Sequence, residues 1–375
     1  MEFRRSDYGN FFVVFVLSLL VPVSGCNDGD GGERKAPVVK KNSKVEEKLF
    51  SSGVIGYAKT SYKEACKRYV KISNPGKTEL LRAALKAAKF NDFESGLVLS
   101  EKLIEMDPGS GQAYFLRGKC IYNSIGGSAA SAKSDFEKSI ELGMTDHQTA
   151  DALEYLARLA YDEKDVENAV ELLTRAIAKD PGHPSYYKFR ALMYVDLKQF
   201  EAAEKDYDKG VELEPGGLMI FFSRAKFYET RERYEEALKD YDRLLFNAKT
   251  TKRNRRLKDK VSLVYKYKSR LLAKLGRYPE AIDSISHAID LNKNLAEEYT
   301  IRGEQYLAID ELDKAMKDFT RAIEISQNRS VDAFTGRARV YSKQGRAELA
   351  ERDLAGAKAL SSAPAEKPIY ELRRR

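Results

Sequence analysis

The chain is poor in the residues that usually form local catalytic or metal-binding motifs. It has only three cysteines and three histidines among 375 residues. His147, His183 and His287 have no cysteine, histidine or carboxylate at the spacing of metal-ligand motifs. A phosphate-binding glycine loop, a nucleophile elbow and a His-Glu-x-x-His helix are also missing from the sequence. The sequence therefore predicts a protein that is not an enzyme and that holds no metal and no cofactor.

The N-terminal apolar run is short for a membrane span. It covers residues 11–23, whereas a spanning helix needs about 20 apolar residues. Arg4 and Arg5 precede the run, and Val-Ser-Gly-Cys at 23–26 closes it, which predicts a signal peptide over residues 1–25. The closing residues resemble the lipobox of bacterial lipoproteins, and this implies that Cys26 is acylated (palmitate type). An uncleaved anchor and an ordinary signal peptide with an incidental cysteine are the alternatives.

Residues 26–45 are polar, charged and rich in glycine, so they are predicted to form a flexible tether. In lipoproteins of the type that the lipobox suggests, an aspartate just after the cysteine tends to retain the protein at the inner membrane. The chain has Asn27 there. The resemblance therefore implies an exported protein, anchored by lipid to the outer membrane and facing the periplasm if the cell is Gram-negative.

Two consecutive stretches of the sequence carry one pattern, 34 residues apart. Positions 4, 7, 8, 11, 20, 24, 27 and 32, counted from Ala150, are Leu153, Leu156, Ala157, Ala160, Ala169, Leu173, Ala176 and Pro181. Counted from Pro184, they are Tyr187, Arg190, Ala191, Tyr194, Ala203, Tyr207, Gly210 and Pro215. The spacing predicts two helices with one buried stripe each. Small residues at positions 8 and 20 let the helices approach closely, and the proline at 32 ends the second helix.

This pattern resembles the tetratricopeptide repeat (TPR) family. The resemblance implies an all-α fold, a right-handed superhelical solenoid in which helix pairs stack because one pair cannot cover its own apolar face. Further copies begin at residues 77, 111, 218, 262, 296 and 331. The prediction is thus a degenerate N-terminal repeat or cap at 46–76, eight repeats over 77–360 and a C-terminal tail at 361–375.

The repeat register breaks in two places. The copy at 111 has its second helix two residues late, which predicts a longer turn at 125–128. Ten extra residues, 252–261, precede the copy at 262, and no proline or glycine occurs between Leu218 and Leu275. We therefore expect longer helices on one or both sides of a turn near 247–251. The basic residues of this insertion are Lys252, Arg253, Arg255, Arg256 and Lys258. They form either a solvated helix face or a contact with an acidic partner or lipid headgroups.

The chain is basic, with a net charge of +8, and this favours acidic partners or anionic surfaces. For an exported protein, headgroups, cell-wall polymers or an acidic protein fit better than nucleic acid. Cys66 and Cys120 fall in repeats that are not adjacent, so buried thiols are expected there instead of a disulfide.

In the TPR family the first helices line a concave groove, and positions 2, 5, 9, 12 and 13 point into it. The resemblance implies a partner-binding groove with basic and aromatic residues, here called the predicted groove residues. They are Phe115, Lys119, Tyr122, Arg158, Tyr161, Lys188, Phe222, Lys226, Lys266, Arg270 and Arg339. Such a surface suits an extended peptide with carboxylates and a few apolar anchors. The alternatives are solvated basic side chains and aromatic rings that belong partly to the core. Arginine at position 7 of several repeats is interpreted as structural.

These features predict a lipid-anchored, non-catalytic scaffold for protein–protein interactions at a bacterial envelope. It would support the assembly or stability of a secretion, pilus, polysaccharide or cell-wall complex. A glycan-binding or enzyme-accessory subunit of an envelope polysaccharide system is the alternative, with a polymer in the groove. The sequence carries no signal of oligomeric state.

Overall fold

The computed structural model describes residues 75–250 and 255–362, without the side chains of residues 250, 255 and 256. The predicted signal peptide, Cys26, the tether, Cys66 and the degenerate repeat as far as residue 74 lie outside the described residues. The tail from residue 363 onward also lies outside them.

The described ranges contain sixteen α-helices and no β-strand. The helices are α1 (Lys77–Lys89), α2 (Phe93–Met106), α3 (Gly111–Asn123), α4 (Ala129–Glu141), α5 (Asp146–Asp162), α6 (Val166–Lys179), α7 (Pro184–Asp196), α8 (Phe200–Leu213), α9 (Leu218–Thr230), α10 (Tyr234–Thr250), α11 (Arg255–Lys274), α12 (Tyr278–Leu291), α13 (Ala296–Ala308), α14 (Leu312–Ile325), α15 (Val331–Lys343) and α16 (Ala347–Ser362). The prediction of an all-α fold is confirmed.

The described chain forms two compact units, one ending at Leu197 and one beginning at Lys198. The first holds α1–α7 and the second α8–α16. Within each unit the helices pack chiefly on their neighbours in the chain, as α5 does on α6 and α11 does on α12. This pairing and stacking is a helical-repeat solenoid, so the predicted fold class is confirmed.

Two helices begin earlier than the repeat pattern predicts. Helix α5 begins at Asp146 and α11 begins at Arg255, before the expected starts at 150 and 262. Helix α10 extends to Thr250, so the prediction of a turn near 247–251 was wrong for residues 247–250. Burial explains this extension, because Asn247 and Ala248 are buried and the Asn247 side chain donates a 2.9 Å hydrogen bond to the Pro215 carbonyl.

The turn between the two helices of a repeat contains one residue with a left-handed backbone. It lies at position 15 of every repeat except the copy at 111, and the residues are Asn91, Lys164, Lys198, Glu232, Gly276, Asp310 and Gly345. After six of these seven residues, Lys198 excepted, the next amide donates back to the helix; one example is Asp165 N to Ala160 O at 2.9 Å. This is the hydrogen bond of a Schellman motif, and it fixes where the first helix ends.

Small residues lie where the two helices of a repeat cross. Ala157 on α5 and Ala169 on α6 are fully buried in one core cluster. In the repeat at 262 the position-8 residue is Ser269, whose hydroxyl donates a 2.7 Å hydrogen bond to the carbonyl of Ala281 at position 20. A side chain at position 8 therefore contacts the backbone of the second helix directly, and larger residues would separate the two helices.

Arginine at position 7 joins helices of one repeat and of the repeat before it. Arg302 on α13 forms a two-point ion pair with Asp318 on α14 and also donates to the hydroxyl of Ser286 on α12, at 3.0 Å. Arg224 likewise bonds Asp240 and, from the preceding helix, Asp208. Two-point pairs of the same kind are Arg117–Asp135 and Arg337–Asp353. The role of these arginines is thus structural.

Candidate partner-binding surface

The predicted groove residues all lie on first helices of repeats. In the first unit they are on α3, α5 and α7, and in the second on α9, α11 and α15. Their contacts within each unit run from one first helix to the next, for example from Tyr122 on α3 to Tyr155 on α5. Within each unit, therefore, residues on successive first helices share one face.

In the first unit, Arg158 is the centre of the surface. Its guanidinium pairs with Glu154 on the same helix and lies over the Phe189 ring of α7, 4.0 Å from the ring centroid. Burial lowers the pKa of Arg158, but Glu154, Tyr122 and Tyr155 together outweigh burial, so the net change is a raised pKa. Tyr122 also lies beside Arg158, and burial raises the pKa of its phenol. The buried part of this surface is therefore the ion pair of Arg158 with Glu154, in which the guanidinium stacks on aromatic rings.

The other predicted residues of the first unit differ in exposure. Tyr161 donates a 2.5 Å hydrogen bond to Asp196 of α7, and Lys188 lies 4.5 Å from the centroid of the Phe189 ring. Phe115 is buried against Phe136 and Tyr155, so it belongs to the core. Lys119 is half-buried and has no ion-pair partner within the described residues. It is thus the predicted cation most available to a ligand in this unit.

In the second unit, the predicted cations are bound by glutamates. Lys226 pairs with Glu229 at 2.9 Å and lies over the Tyr267 ring. Lys266 and Arg270 on α11 converge on Glu297 of α13, at 2.7 and 2.8 Å. Burial alone would raise the pKa of Glu297, yet the two cations outweigh it and the pKa is lowered. The positive charge of this face is therefore largely neutralised from within the chain.

Two predicted residues complete the second unit. Arg339 on α15 pairs with Glu304 on α13 at 2.6 Å. Phe222 is buried between the rings of Tyr241 and Tyr267, so it belongs to the core. The structure thus brings Lys266 and Arg270 together, whereas Arg339 has a separate carboxylate partner.

Known proteins show what this arrangement is similar to. Residues 126–184 and 190–251 match the family model described as "Tetratricopeptide repeat". The chain contains tetratricopeptide repeats. No curated protein matches the sequence significantly.

Solved TPR structures share the fold. The C-terminal part of a TPR protein from Cytophaga hutchinsonii aligns with a TM-score of 0.54 at 16% identity, over 68% of this chain and 98% of that one. The APC/C hetero-tetramer Cut9-Hcn1 aligns with a TM-score of 0.51 at 16% identity, over 75% of this chain. The alignment spans only about half, 52%, of the Cut9-Hcn1 chain. At these identities the similarity shows the fold alone.

Sequence reasoning missed the acidic half of this surface. Glu154, Glu229, Glu297 and Glu304 occupy positions 5, 12, 2 and 9 of their TPRs, which are groove positions of the family. A search of those positions for acids as well as bases would have found them. The ion pairs themselves, such as Lys266 with Glu297 in the next TPR, form only when the first helices stack. They cannot be predicted from the sequence of one TPR.

The basic insertion lies only partly within the described residues. Lys252 and Arg253 lie outside the described residues, and Arg255 and Arg256 begin α11 without described side chains. Lys258 is exposed on the first turns of α11. The insertion therefore contributes at least one exposed cation to the start of that helix.

Other features of the described residues lie away from this surface. A cavity of about 550 Å³ is lined by α10, α11 and α12, and none of its lining residues is a predicted groove residue. Cys120 is a buried free thiol, and burial raises its pKa to about 12. Within residues 75–250 and 255–362, no three metal-binding side chains are placed to hold one ion. In the same ranges, no helix combines the length and apolar character that crossing a membrane requires.

Proposed function

We propose that the chain is a non-catalytic scaffold that binds an extended peptide of a protein partner on the first-helix faces of its TPRs. Repeats of this kind suggest a protein-interaction scaffold. The observation that carries the proposal is the row of charged and aromatic side chains linked from one first helix to the next, as in Arg158 over Phe189 and Arg339 with Glu304. Within each unit, these side chains offer donors, acceptors and ring faces from one first helix to the next, which suits an extended chain.

The ion pairs restrict what the partner gains from charge. A carboxylate of the partner must compete with Glu154, Glu229, Glu297 or Glu304 for the same cations. Exchange of one ion pair for another contributes little net free energy, because both states are paired. Acidic charge alone therefore gives weak binding, and ring contacts and backbone hydrogen bonds of the peptide supply the specificity. Lys119 is the exception, since it gains a partner without losing one.

The experiment is crosslinked capture from intact cells of the native host, followed by mass spectrometry. The test variant is Lys119→Glu on α3, and the matched control is Lys138→Glu on α4, the second helix of the same TPR. The Lys138 side chain is 40% exposed and, among the described residues, pairs with Glu141 on the same helix. Both changes alter the net charge equally. Loss of one protein from Lys119→Glu but not from Lys138→Glu supports the proposal. An identical catch from both variants would exclude Lys119 from partner binding.

We further propose that the scaffold is anchored by lipid on Cys26 at a bacterial envelope, where it supports a secretion, pilus, polysaccharide or cell-wall complex. The support is the sequence at residues 23–26, after a basic start and a short apolar run. A glycan-binding subunit is the alternative, because half-buried tyrosine rings and cations also suit an acidic polysaccharide. Retention of acidic polysaccharide by the purified protein, with no protein captured, would favour that alternative.

A further inference from the structure

Two of the three histidines lie together at the joint between the TPRs that begin at 150 and 184. His147 lies on the first turn of α5, and its Nδ1 is 2.7 Å from an Asp180 carboxylate oxygen at the end of α6. The other ring nitrogen, Nε2, is 3.9 Å from the Asp151 carboxylate, one turn further along α5. His147 thus lies between two carboxylates that belong to different helices.

The cluster continues into the next TPR. Asp151 accepts a 2.8 Å hydrogen bond from the hydroxyl of Tyr186 on α7. His183, which immediately precedes α7, stacks on the Tyr186 ring at 4.4 Å, and its ring centroid is 6.0 Å from that of His147. A continuous path of contacts, Asp180 to His147 to Asp151 to Tyr186, therefore joins α6, α5 and α7 within one unit.

We propose that the contact of His147 with Asp180, here called the latch, responds to pH. The latch is closed, meaning that the contact is strong, when the His147 ring is protonated, and it is weakened when the ring is neutral. Protonated imidazole has two N–H donors and a positive charge, so it can satisfy both carboxylates. Neutral imidazole has one donor, and its unprotonated nitrogen then faces a carboxylate that it cannot bond. Deprotonation removes the positive charge between the two carboxylates, so the contact of α5 with Asp180 at the end of α6 becomes at most a neutral hydrogen bond and is weaker.

The groups around the ring support this assignment. Besides Asp180 and Asp151, the neighbouring groups are His183 and the ion pair of Asp146 with Lys179, whose N–O distance is 2.9 Å. Helix α4, which also packs on α5, contributes no ion pair to His147 within the described residues. The hydrogen bond to Asp180 raises the pKa of His147, and His147 in turn lowers the pKa of Asp180.

The direction of the pH effect follows from these shifts. A histidine whose pKa is raised on folding stabilises the folded state at low pH, and this contribution is lost as pH rises through the folded pKa. Asp180, whose pKa is lowered, loses its contribution only when the pH falls through that lower value. The latch is therefore closed between the two pKa values and opens on the alkaline side. Since the His147 side chain is 60% exposed, solvent screens the pair and the effect is local.

The test is a histidine and glycine NMR titration of the full chain. Only three histidine ring signals are expected, and His147→Gln identifies one of them. The amide of Gly182 donates to the second oxygen of Asp180, at 3.3 Å, so its signal reports the state of the latch. We expect the Gly182 amide to titrate with the midpoint of the His147 ring, and this transition to disappear in His147→Gln.

The decisive variant is Asp180→Asn, with Asp313→Asn as the control. Asp313 is exposed on α14 of the other unit, so the control removes the same charge far from the latch along the chain. Asp180→Asn should move the His147 midpoint to lower pH, Asp151→Asn should move it less, and Asp313→Asn should leave it unchanged. A His147 midpoint that is the same in wild type and Asp180→Asn would overturn the proposal, as would a Gly182 signal that does not follow His147.

Discussion

Arg302 and Asp318 form a two-point ion pair across the two helices of one TPR, with Nε–O and N–O distances of 2.7 and 2.9 Å. The Asp318 side chain is 8% exposed, so its carboxylate depends on the guanidinium for hydrogen bonds. The same two-point geometry recurs in three other TPRs of the described chain. It makes the arginine at position 7 a repeated structural contact.

Asp318→Asn should therefore lower the free energy of unfolding by about 1–3 kcal/mol, because a partly buried guanidinium loses its charged partner. The midpoint of urea denaturation measures the change. Glu324→Gln removes the partner of Arg321 on the surface of the same helix pair and should leave the midpoint unchanged. Equal effects of both variants would contradict a special role for the position-7 pair.

Gly336→Ala should destabilise the second unit by about 1–3 kcal/mol, because a Cβ at Gly336 would overlap the Phe319 ring. Phe319 is fully buried and also contacts Gly303 closely, so the ring has little room to move. Gly356→Ala is the matched control, since its Cβ would lie 3.9 Å from the nearest side chain. The control should be neutral or stabilising through helix propensity, and thermal melting of both variants compares them.

Lys164→Gly should raise the free energy of unfolding by about 0.5–1 kcal/mol. Lys164 has a φ of 71°, a left-handed conformation that costs a residue with a Cβ about 1–2 kcal/mol, offset in part by the larger chain entropy of glycine. Gly276 has a φ of 74° at the same position of its TPR, so Gly276→Ala should have the opposite sign. Chemical denaturation of both variants would refute this account of the turn if the two changes had the same sign.

Cys26→Ser should prevent lipid attachment, because the cysteine sulfur is the atom through which the diacylated lipid is attached in the lipobox interpretation. Labelling of the intact protein with a palmitate analogue measures this, and membrane fractionation shows whether the variant is released or keeps its signal peptide. The matched control is Cys120→Ser, since Cys120 is a buried thiol; it should keep the label. Undiminished labelling of Cys26→Ser would contradict the lipoprotein proposal.

The fold was largely predictable because the buried stripes are periodic. Ala157 and Ala169 are fully buried where the pattern places them, and the prediction needs only helical spacing. Helix limits were less predictable. Helix α10 continues to Thr250 because Asn247 and Ala248 are buried by packing. The sequence of residues 247–251 alone does not predict this burial.

The helices that carry the predicted groove residues were predictable, but the burial of Phe115 and Phe222 and the charge of the surface were not. The residues at groove positions do lie on first helices, yet the net positive row read from Lys226, Arg270 and Arg339 is compensated by glutamates. Arg270 and Glu297 are 27 residues apart and meet only when TPRs stack. Histidines were missed for the same reason, since His147 and Asp180 are 33 residues apart. Contacts between successive TPRs therefore determine which charges of the surface are paired, and these contacts depend on how the TPRs stack.

Site-specific photo-crosslinking in the native host tests the central claim most directly. A photoreactive residue would replace Lys119 on α3 or Thr335 on α15, both on first helices. In parallel it would replace Lys138 on α4, whose side chain is 40% exposed, or the exposed Arg321 on α14, both on second helices. A protein-binding scaffold that uses its first-helix faces predicts adducts to a protein partner from the first pair and none from the second. Adducts from the second-helix positions alone would contradict the account.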